Sequence, residues 1–353
     1  MPRPGIAEAN RTAPLDAPAS RKGPPDGSAQ RAPGPRPRAT WMRHLWLVTL
    51  IGSFLFLSNR MVFALIGALN RRLRFIRTVF VVYPGSDEIL SRYCYGAVRD
   101  WAAWRPTLLG AYRQTESSGS SGSSGSWGLM FGIASAEREF ERPAMVERLA
   151  ELHARMETIR KTVRAGEVRF AGVLPSRLCA EGIATHESEV RAAVAALLKA
   201  EATVRSTEQI GESVPLIVLG ANGWLGQQLT ARLGKRTVYG VDVGPLGEDF
   251  ANRASWPAHL TGRKALLINV ARSDTLALYL DLLWSSLVVL NEVYPPPGPR
   301  LLQRLSALEC RCYHLAGAVG TAYPDLPWPY AGAIPCCAAQ IGADTPLIVR
   351  RLT

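Results

Sequence analysis

Three glycines at regular spacing carry the clearest chemical signal in this chain. Gly220, Gly223 and Gly226 follow a short apolar run, residues 216–219, that is typical of a buried strand, and they precede a helix-like run over residues 227–233. In such a strand–turn–helix unit the first glycine permits a tight turn, the second lets the backbone approach a pyrophosphate, and the third lets the helix pack on the strand. The free N–H groups at the start of the helix then face the phosphates. The pattern predicts a turn that binds a dinucleotide.

An acidic residue follows at the distance that a dinucleotide-binding unit requires. Asp242 comes after a second strand-like run, residues 237–241, and about twenty residues beyond the first glycine. A carboxylate there would accept a hydrogen bond from the adenosine ribose 2′-hydroxyl, which favours NAD(H), whereas Lys235 and Arg236 just before the strand leave NADP(H) open. The spacing G-x-x-G-x-x-G departs from the stricter G-x-G-x-x-G. The alternative is a tight turn in an α/β sheet that binds nothing.

The predicted cofactor contacts extend to the end of a third strand, residues 265–271. Its polar end would face the crevice that open α/β sheets form outside the carboxyl ends of their strands. Ser273 and Asp274 follow this strand and could equally be turn and capping residues for the next helix. The residues that we expect to contact NAD or NADP are Gly220, Asn222, Gly223, Trp224, Leu225, Gly226, Asp242, Asn269 and Ala271.

Two further residues are candidates for catalysis near that crevice. Cys336 and Cys337 follow Pro335, and a thiolate at a helix N-terminus would have a lowered pKa and could attack an acyl thioester, for which we favour Cys337. The alternative is a pair of small apolar side chains in the first turn of a buried helix. His314 lies within an apolar strand, where it would be a general acid or, alternatively, a core histidine bonded to a backbone carbonyl.

Composition argues against several other functions. The six cysteines show no CxxC pair and no cysteine–histidine set with zinc-site spacing, so we expect reduced thiols and no metal site. The net charge is +12, but the arginines are concentrated near the N-terminus and no basic motif interleaved with aromatic residues follows. We therefore expect no nucleic-acid partner. The sequence also contains no Walker loop and no pattern typical of a Ser-His-Asp triad.

Strand-like and helix-like runs alternate through the second half of the chain, which predicts an α/β fold with a Rossmann-like parallel sheet. We assign residues 211–353 to an NAD(P)-binding Rossmann domain and residues 127–210 to a preceding α/β domain on the substrate side. The elements expected in this preceding domain are strands at 127–133 and 168–174 and helices at 145–163 and 188–207.

The chain before residue 127 divides into three parts. Residues 1–41 are rich in Pro, Ala, Arg and Gly and are expected to be disordered, because they cannot bury enough apolar surface to offset the entropy of ordering. Residues 42–78 are apolar with arginines at both ends, and a single span with Arg60 near its middle, a hairpin with both ends cytoplasmic and a signal-peptide core are all open. Residues 79–126 form a short region that ends in a Ser/Gly run, residues 117–126, predicted to be a flexible linker. We expect a membrane-associated protein whose catalytic part is cytoplasmic.

Two enzyme families share parts of this pattern. Asn269-Val-Ala271, followed by the run 289–296 with its Tyr-Pro-Pro end, resembles the nicotinamide domain of shikimate-dehydrogenase-like enzymes. The order of a strand at Met130–Ile133, a helical domain, the glycine turn and a late helix bearing cysteine resembles long-chain acyl-carrier-protein reductases. The second resemblance implies that a thioester forms on a cysteine of the C-terminal helix, here Cys337, and is reduced with NADPH. The apolar N-terminal extension and Asp242 depart from that reductase pattern.

Two hypotheses follow from these residues. The first is an NAD(P)-dependent oxidoreductase that transfers hydride, with an acyl thioester or another apolar or lipid-linked molecule as its substrate. The second is a non-catalytic nucleotide-binding protein, anchored to a membrane, that serves as a scaffold or sensor. A sugar-nucleotide epimerase-like enzyme is a weaker alternative, because the sequence contains no Tyr-x-x-x-Lys pair.

Overall fold

A computed structural model describes most of the chain from Asn59 to Thr353. The described residues are 59–87, 90–91, 99–100, 102–115, 126–140, 142–185, 187–234, 236–242, 253–272 and 274–353. Expectations for residues 1–58, Lys235 and Ser273 lie outside this part of the chain. They include the disordered tail and most of the apolar segment.

The described residues form eleven strands and seven α-helices, with short 3-10 turns between some of them. The strands are β1 (Ile76–Val82), β2 (Thr107–Gln114), β3 (Trp127–Gly132), β4 (Glu167–Phe170), β5 (Leu216–Leu219), β6 (Val238–Val241), β7 (Ala265–Asn269), β8 (Leu287–Asn291), β9 (Arg311–Tyr323), β10 (Ala333–Ile334) and β11 (Leu347–Arg351). The helices are α1 (Arg60–Leu73), α2 (Val146–Val163), α3 (Leu174–Ala180), α4 (Glu187–Thr207), α5 (Trp224–Arg232), α6 (Thr275–Leu278) and α7 (Pro299–Ala307).

All eleven strands belong to one mixed sheet, in the order β4-β1-β3-β2-β9-β8-β7-β5-β6, with β10 and β11 paired to β9. The pairs β4–β1, β1–β3, β9–β8, β8–β7, β7–β5 and β5–β6 are parallel. Strand β2 runs antiparallel to both β3 and β9, so it leaves the two parallel blocks pointing in the same direction. The carboxyl ends of both blocks therefore lie at one edge of the sheet. The prediction of an α/β fold is confirmed, and the sheet, predicted to be parallel, is mixed but mostly parallel.

The continuous apolar runs of the central strands are explained by helices on both faces. In β5, Leu216 and Val218 face a core that contains Leu197 and Val204 of α4. Ile217 and Leu219 of the same strand face the opposite side, where the core contains the buried aromatic residues Trp256, Tyr279 and Trp284. A parallel strand that is buried on both faces needs apolar residues at every position.

The N-terminal block is covered by α1 and α2. Buried residues of α2, among them Leu149, Leu152 and Met156, share one core cluster with Val79 and Val81 of β1. The expected helices at 145–163 and 188–207 correspond closely to α2 and α4. The expected strand at 168–174 ends earlier, because β4 stops at Phe170 and α3 begins at Leu174.

The Ser/Gly run connects two neighbours in the sheet. Strands β2 and β3, which lie on either side of it, are antiparallel partners with Tyr112 opposite Gly128. The strands on either side of the run are thus direct neighbours in one sheet, whereas residues 117–125 and the prediction that they form a flexible linker lie outside the described residues. Strands β1 and β2 both pair directly with β3, so the N-terminal half of the sheet begins well before residue 127.

Helix α1 begins at Arg60 and is capped by its neighbour. The Asn59 side chain accepts a hydrogen bond from the Met61 backbone N–H at 3.0 Å, the usual way to satisfy an N-terminal donor of a helix. Across the described residues, no helix has both the length and the apolar character needed to cross a membrane. Most of the predicted apolar, membrane-associated segment, residues 42–78, precedes Asn59 and lies outside the described residues, and α1 and the start of β1 form its C-terminal part.

Candidate functional site

The glycine turn lies between the carboxyl end of β5 and the start of α5. The Gly220 N–H donates to the Val241 carbonyl at 2.8 Å, and the Gly223 N–H donates to the Gly220 carbonyl at 3.1 Å, which closes the turn. A Cβ on Gly226 would lie 2.0 Å from the Gly220 carbonyl oxygen, so α5 can pack on the turn only if this position is glycine. The strand–turn–helix arrangement is as the sequence predicts.

Gly223 is a glycine that the surrounding protein hardly requires. It is the N-cap of α5 with φ −67° and ψ 161°, an extended conformation that any residue adopts. Among the described residues, a Cβ there would meet the Gly220 carbonyl oxygen at 3.3 Å and no further non-adjacent atom within 4 Å. The missing side chain therefore leaves space in front of the α5 N-terminus, where an incoming group could reach the backbone N–H groups.

The Asp242 carboxylate closes the other side of the turn. Its Oδ2 accepts a hydrogen bond from the Asn222 backbone N–H at 2.6 Å, because β6 and β5 are adjacent parallel strands and end side by side. Arg236, for which the sequence allowed NADP(H) as an alternative cofactor, forms an ion pair with the buried Glu201 of α4 at 2.7 Å. That pairing directs the guanidinium toward α4.

Asn269 takes a different place from the one expected. It is 1% exposed and is not among the residues that line the cleft at the carboxyl edge of the sheet. Its Oδ1 accepts from the Ala271 N–H at 3.3 Å and its Nδ2 donates to the Asn291 Oδ1 at 2.7 Å. Ala271 itself lines the cleft. Asp274 precedes α6 but makes no capping hydrogen bond with its side chain.

His314 belongs to a chain of polar side chains that runs from Asn269 to Tyr330. Asn291 Nδ2 donates to the Val293 carbonyl and also lies 3.0 Å from His314 Nδ1, and His314 Nε2 lies 3.0 Å from the Tyr330 hydroxyl. We call this chain, made of Asn269, Asn291, His314 and Tyr330, the polar relay.

Backbone groups bonded to the two asparagines fix the direction of the hydrogen bonds in the polar relay. The Ala271 N–H can only donate and the Val293 carbonyl can only accept, so both amide orientations are set. His314 Nδ1 must then accept from Asn291, and Nε2 carries the hydrogen that His314 donates to Tyr330. Burial lowers the pKa of His314 to about 4, so the ring is neutral at neutral pH. The Tyr330 hydroxyl, which accepts from His314, keeps its own proton for another partner.

His314 therefore does not reach the cleft itself. It is fully buried, whereas Tyr330 lines the cleft. Burial, with smaller contributions from Tyr294 and Glu292, raises the pKa of Tyr330 well above its ordinary value, so the phenol is protonated at neutral pH. Tyr330, rather than His314, can therefore donate a proton to a bound molecule, and His314 acts only through its hydrogen bond to the Tyr330 hydroxyl.

Glu292 and the two cysteines complete this side of the cleft. Burial raises the pKa of Glu292 to about 7, against the opposing effect of a hydrogen bond from the Cys336 thiol at 3.4 Å. A hydrogen bond with Cys337, burial and the adjacent Glu292 carboxylate raise the pKa of Cys336 well above its ordinary value. Glu292 can therefore exchange a proton near neutral pH, while the Cys336 thiol keeps its own.

The cysteine pair lies in a turn and not in a helix. The N–H groups of Ala338 and Ala339 both donate to the Pro335 carbonyl, at 2.8 and 3.0 Å, and no helix follows before β11. Cys337 is half-buried and lines the cleft, but the helix N-terminus expected to activate it is absent from this part of the described chain.

One cleft of about 1130 Å³ joins these groups across the carboxyl edge of the sheet. Its C-terminal wall contains the glycine turn, Asp242 and Ala271 together with Glu292, Tyr330 and Cys337. The N-terminal block and α4 supply a mainly apolar wall, whose residues include Val82, Leu90, Ile133, Val173 and Val190. Among the described residues, no group of three or more His, Cys, Asp or Glu side chains could hold a metal ion.

Comparison with known proteins adds no family to this description. No protein-family model matches the chain, and no curated protein shows significant similarity to it.

Proposed function

We propose that this protein is an NAD(P)-dependent oxidoreductase whose dinucleotide binds along the glycine turn. The observation that carries the proposal is the placement of the Asp242 carboxylate, 2.6 Å from the Asn222 N–H and beside the N-terminus of α5. Strand β5 lies between β6 and β7, so the chain crosses to the other side of β5 at this point. Ligands of open α/β sheets bind at such a switch point.

The residues of the turn fit a pyrophosphate. Phosphate oxygens need backbone N–H donors and close approach, and the missing side chain at Gly223 opens that approach at the N-terminus of α5. Asp242 would accept a hydrogen bond from a ribose hydroxyl and would repel a 2′-phosphate, while the nearby Arg236 is paired with Glu201. We therefore propose NAD(H) as the preferred cofactor, with NADP(H) as the alternative.

The remaining groups of the cleft would handle protons. The bound nicotinamide supplies or accepts hydride, and the protein must supply the matching proton. Tyr330 would donate it to a substrate oxygen, because its hydroxyl lines the cleft and already accepts a hydrogen bond from His314. The same His314 N–H would stabilise the phenolate left behind. Glu292, with a pKa of about 7, would exchange protons between the cleft and water.

The apolar wall supports a substrate with a hydrophobic part. An acyl chain or another apolar group would bury its surface against side chains such as Leu90, Ile133 and Val190. We therefore propose an acyl thioester or a lipid-linked carbonyl compound as the substrate. Reduction through Tyr330 needs no covalent attachment to Cys337.

The test is a titration of the full-length protein with NADH and NADPH, followed by nicotinamide fluorescence. The full chain is needed because β1 and β2 lie in the interior of the sheet order. Gly223→Val should abolish saturable binding, since its side chain would fill the space before the α5 N-terminus. Gly298→Val is the matched control, because Gly298 is also a helix N-cap with nearly the same conformation (φ −68°, ψ 164°) and open space around its Cα.

Tight binding of NADH to the wild type and the control, with loss in Gly223→Val, would support the dinucleotide site. Equal binding by all three proteins would place the ligand elsewhere. A folded wild type that binds neither nucleotide would overturn the oxidoreductase proposal. Saturable binding without turnover of acyl thioesters or aldehydes would favour the nucleotide-binding scaffold or sensor instead.

A further inference from the structure

The outer face of α1 is an exposed apolar stripe. Met61, Leu65, Leu69 and Leu73 are spaced four residues apart and are 78%, 72%, 51% and 62% exposed. Residues four apart lie on the same side of a helix, so these side chains form one continuous surface. From Met61 to Leu69 the helix contains no polar side chain, although much of that stretch faces outward. A helix on the surface of a protein normally carries polar residues on that side.

This stripe belongs to a helix that is firmly held on its inner side. A Cβ on Gly67 would lie 2.0 Å from the Thr162 carbonyl oxygen, so α1 and α2 touch backbone to backbone. The buried Asn70 amide donates to the carbonyls of Ile76, Val163 and Arg164 at 3.0 to 3.1 Å. Phe63 packs edge-on against Phe131, with 5.8 Å between the ring centroids. The exposed leucines are thus displayed on a rigid part of the fold.

Positive charge surrounds the C-terminal end of the stripe. Arg71 and Arg72 lie in the last turn of α1, and Arg74 and Arg77 follow it. The sequence contains no acidic residue from Gly27 to Ser86. Beside this end lies a second cavity of about 910 Å³, whose charged lining residues are mostly basic: Arg74, Arg77, Arg164, Glu167, Arg169 and Arg191. The Nε atom of the buried Arg169 has no hydrogen-bond partner in the described structure.

We infer that the outer face of α1 docks onto an anionic membrane surface, with the helix lying in the plane of the interface. Exposed leucines beside clustered arginines are the signature of interfacial helices, which bury apolar side chains between acyl chains and pair basic ones with lipid phosphates. With fourteen residues, α1 is roughly 21 Å long, which suits an in-plane helix better than a span. A second copy of the chain fits less well. Parallel pairing of the same faces would bring two arginine clusters together, and antiparallel pairing would place each cluster beside the start of the partner helix, which offers no acidic residue.

The docked helix would bring the cleft toward the bilayer. Phe63, near the start of α1, contacts Phe131, next to the last residue of β3. The start of α1 therefore lies at the edge of the sheet that carries the cleft. This orientation would suit an apolar substrate, but the membrane inference stands on α1 alone and holds whether or not the cleft binds a dinucleotide.

Vesicle sedimentation of the full-length protein tests this inference. We expect binding to vesicles of phosphatidylcholine with phosphatidylserine and much weaker binding to phosphatidylcholine alone. Leu65→Glu with Leu69→Glu should lower binding to the anionic vesicles at least about tenfold, because it removes two buried side chains and adds two repelled charges. Gln303→Glu with Ser306→Glu on the exposed side of α7 changes the net charge equally and should bind like the wild type.

Each remaining outcome counts against the inference. If the wild type does not sediment with anionic vesicles, or sediments equally with neutral ones, α1 is not an anionic-lipid surface. Unchanged binding of the Leu65→Glu, Leu69→Glu protein would assign the membrane contact to another segment, such as the apolar residues before Asn59. Dissociation of an oligomer by the same double change, in the absence of vesicles, would make the occupant a second copy. Circular dichroism should show the same melting temperature for all variants, because the changed side chains are exposed.

Discussion

The two sides of the C-terminal wall offer different chemistry. The glycine turn presents backbone N–H groups and one carboxylate, none of which needs to change its protonation state to hold a ligand. The opposite side, formed by the polar relay with Glu292 and Cys336, presents ionisable groups with shifted pKa values. Burial shifts the pKa of Glu292 and His314, and a hydrogen bond with Cys337 together with burial shifts that of Cys336. The first side is suited to binding phosphate and ribose, and the second is suited to moving a proton.

This difference assigns separate roles that can be tested separately. If the turn only binds and the relay only handles protons, changes in the turn should alter affinity without altering pH dependence. Changes in the relay should alter pH dependence and turnover while the dinucleotide affinity stays constant. A change that moves both properties together would contradict the division between the two sides.

The largest effect is expected from Tyr330→Phe. The variant keeps the ring contacts with His314 and Tyr294, whose centroids lie 5.2 and 5.7 Å away, and loses only the hydroxyl. NADH oxidation with a long-chain aldehyde or acyl thioester should fall by about 10²- to 10⁴-fold, the usual contribution of a general acid. The dissociation constant for NADH should stay within about threefold of the wild type. Tyr323→Phe, on the exposed end of β9, is the control; equal turnover in both variants would remove Tyr330 from the mechanism.

The next largest effect concerns the free energy of unfolding in acid, which we expect to depend on His314. Its pKa is about 4 in the folded protein and 6.5 ordinarily, so the ring is neutral in both states above pH 6.5. As the pH falls from 6.5 to 4, His314 binds a proton in the unfolded chain but stays neutral in the folded protein. The free energy of unfolding of the wild type should therefore decrease by about 3 kcal/mol. Urea unfolding at pH 7 and pH 4 should show this loss reduced in His314→Gln. The exposed His259→Gln should retain it, and if both variants behave like the wild type, His314 is not held neutral.

Glu292 should have a smaller effect on the free energy of unfolding, and its effect should appear as the pH rises rather than as it falls. Its pKa is about 7 in the folded protein and 4.5 ordinarily, so both states are protonated below pH 4.5 and carry no penalty. As the pH rises from 4.5 to 7, the unfolded chain ionises first and the folded protein is destabilised. Glu292→Gln should therefore be about 2 kcal/mol more stable than the wild type above pH 7, after allowance for partial exposure, and equally stable near pH 4. Glu212→Gln on the surface gives the baseline for urea unfolding, and a Glu292 variant indistinguishable from it would refute the raised pKa.

The two sides also differ in how far the sequence predicts them. The turn, its three glycines and Asp242 lie within one β-α-β unit, so local spacing is enough to bring them together. The relay joins residues that are 22, 23 and 16 positions apart on separate elements, and its geometry depends on strand order. A signal was nevertheless present, because Asn269, Asn291 and His314 interrupt three apolar strands and are direct neighbours across β7, β8 and β9.

Longer-range features escaped prediction for the same reason. The Ser/Gly run has the composition of a linker, and only the pairing of β2 with β3 shows that it joins neighbours. Tyr330 sits in an irregular segment before β10, where no periodicity marks it, and Glu292 differs from other acidic residues only through burial. Strand and helix types followed from local patterns, whereas protonation and proximity depend on the assembled sheet.

The smallest expected effects are those of changing the two cysteines. They test the thioester that the resemblance to acyl reductases implies. Cys336 donates to Glu292 and is buried, while Cys337 is half-buried in a turn without a helix N-terminus to stabilise its thiolate. Cys337→Ser should therefore lower turnover less than about threefold. Cys336→Ala should shift the pH midpoint of turnover upward, because it removes the hydrogen bond that lowers the pKa of Glu292. If Cys337→Ser instead abolishes turnover and the wild type forms an acyl adduct detectable by mass spectrometry, proton transfer through Tyr330 is insufficient and the covalent route of the acyl reductases applies.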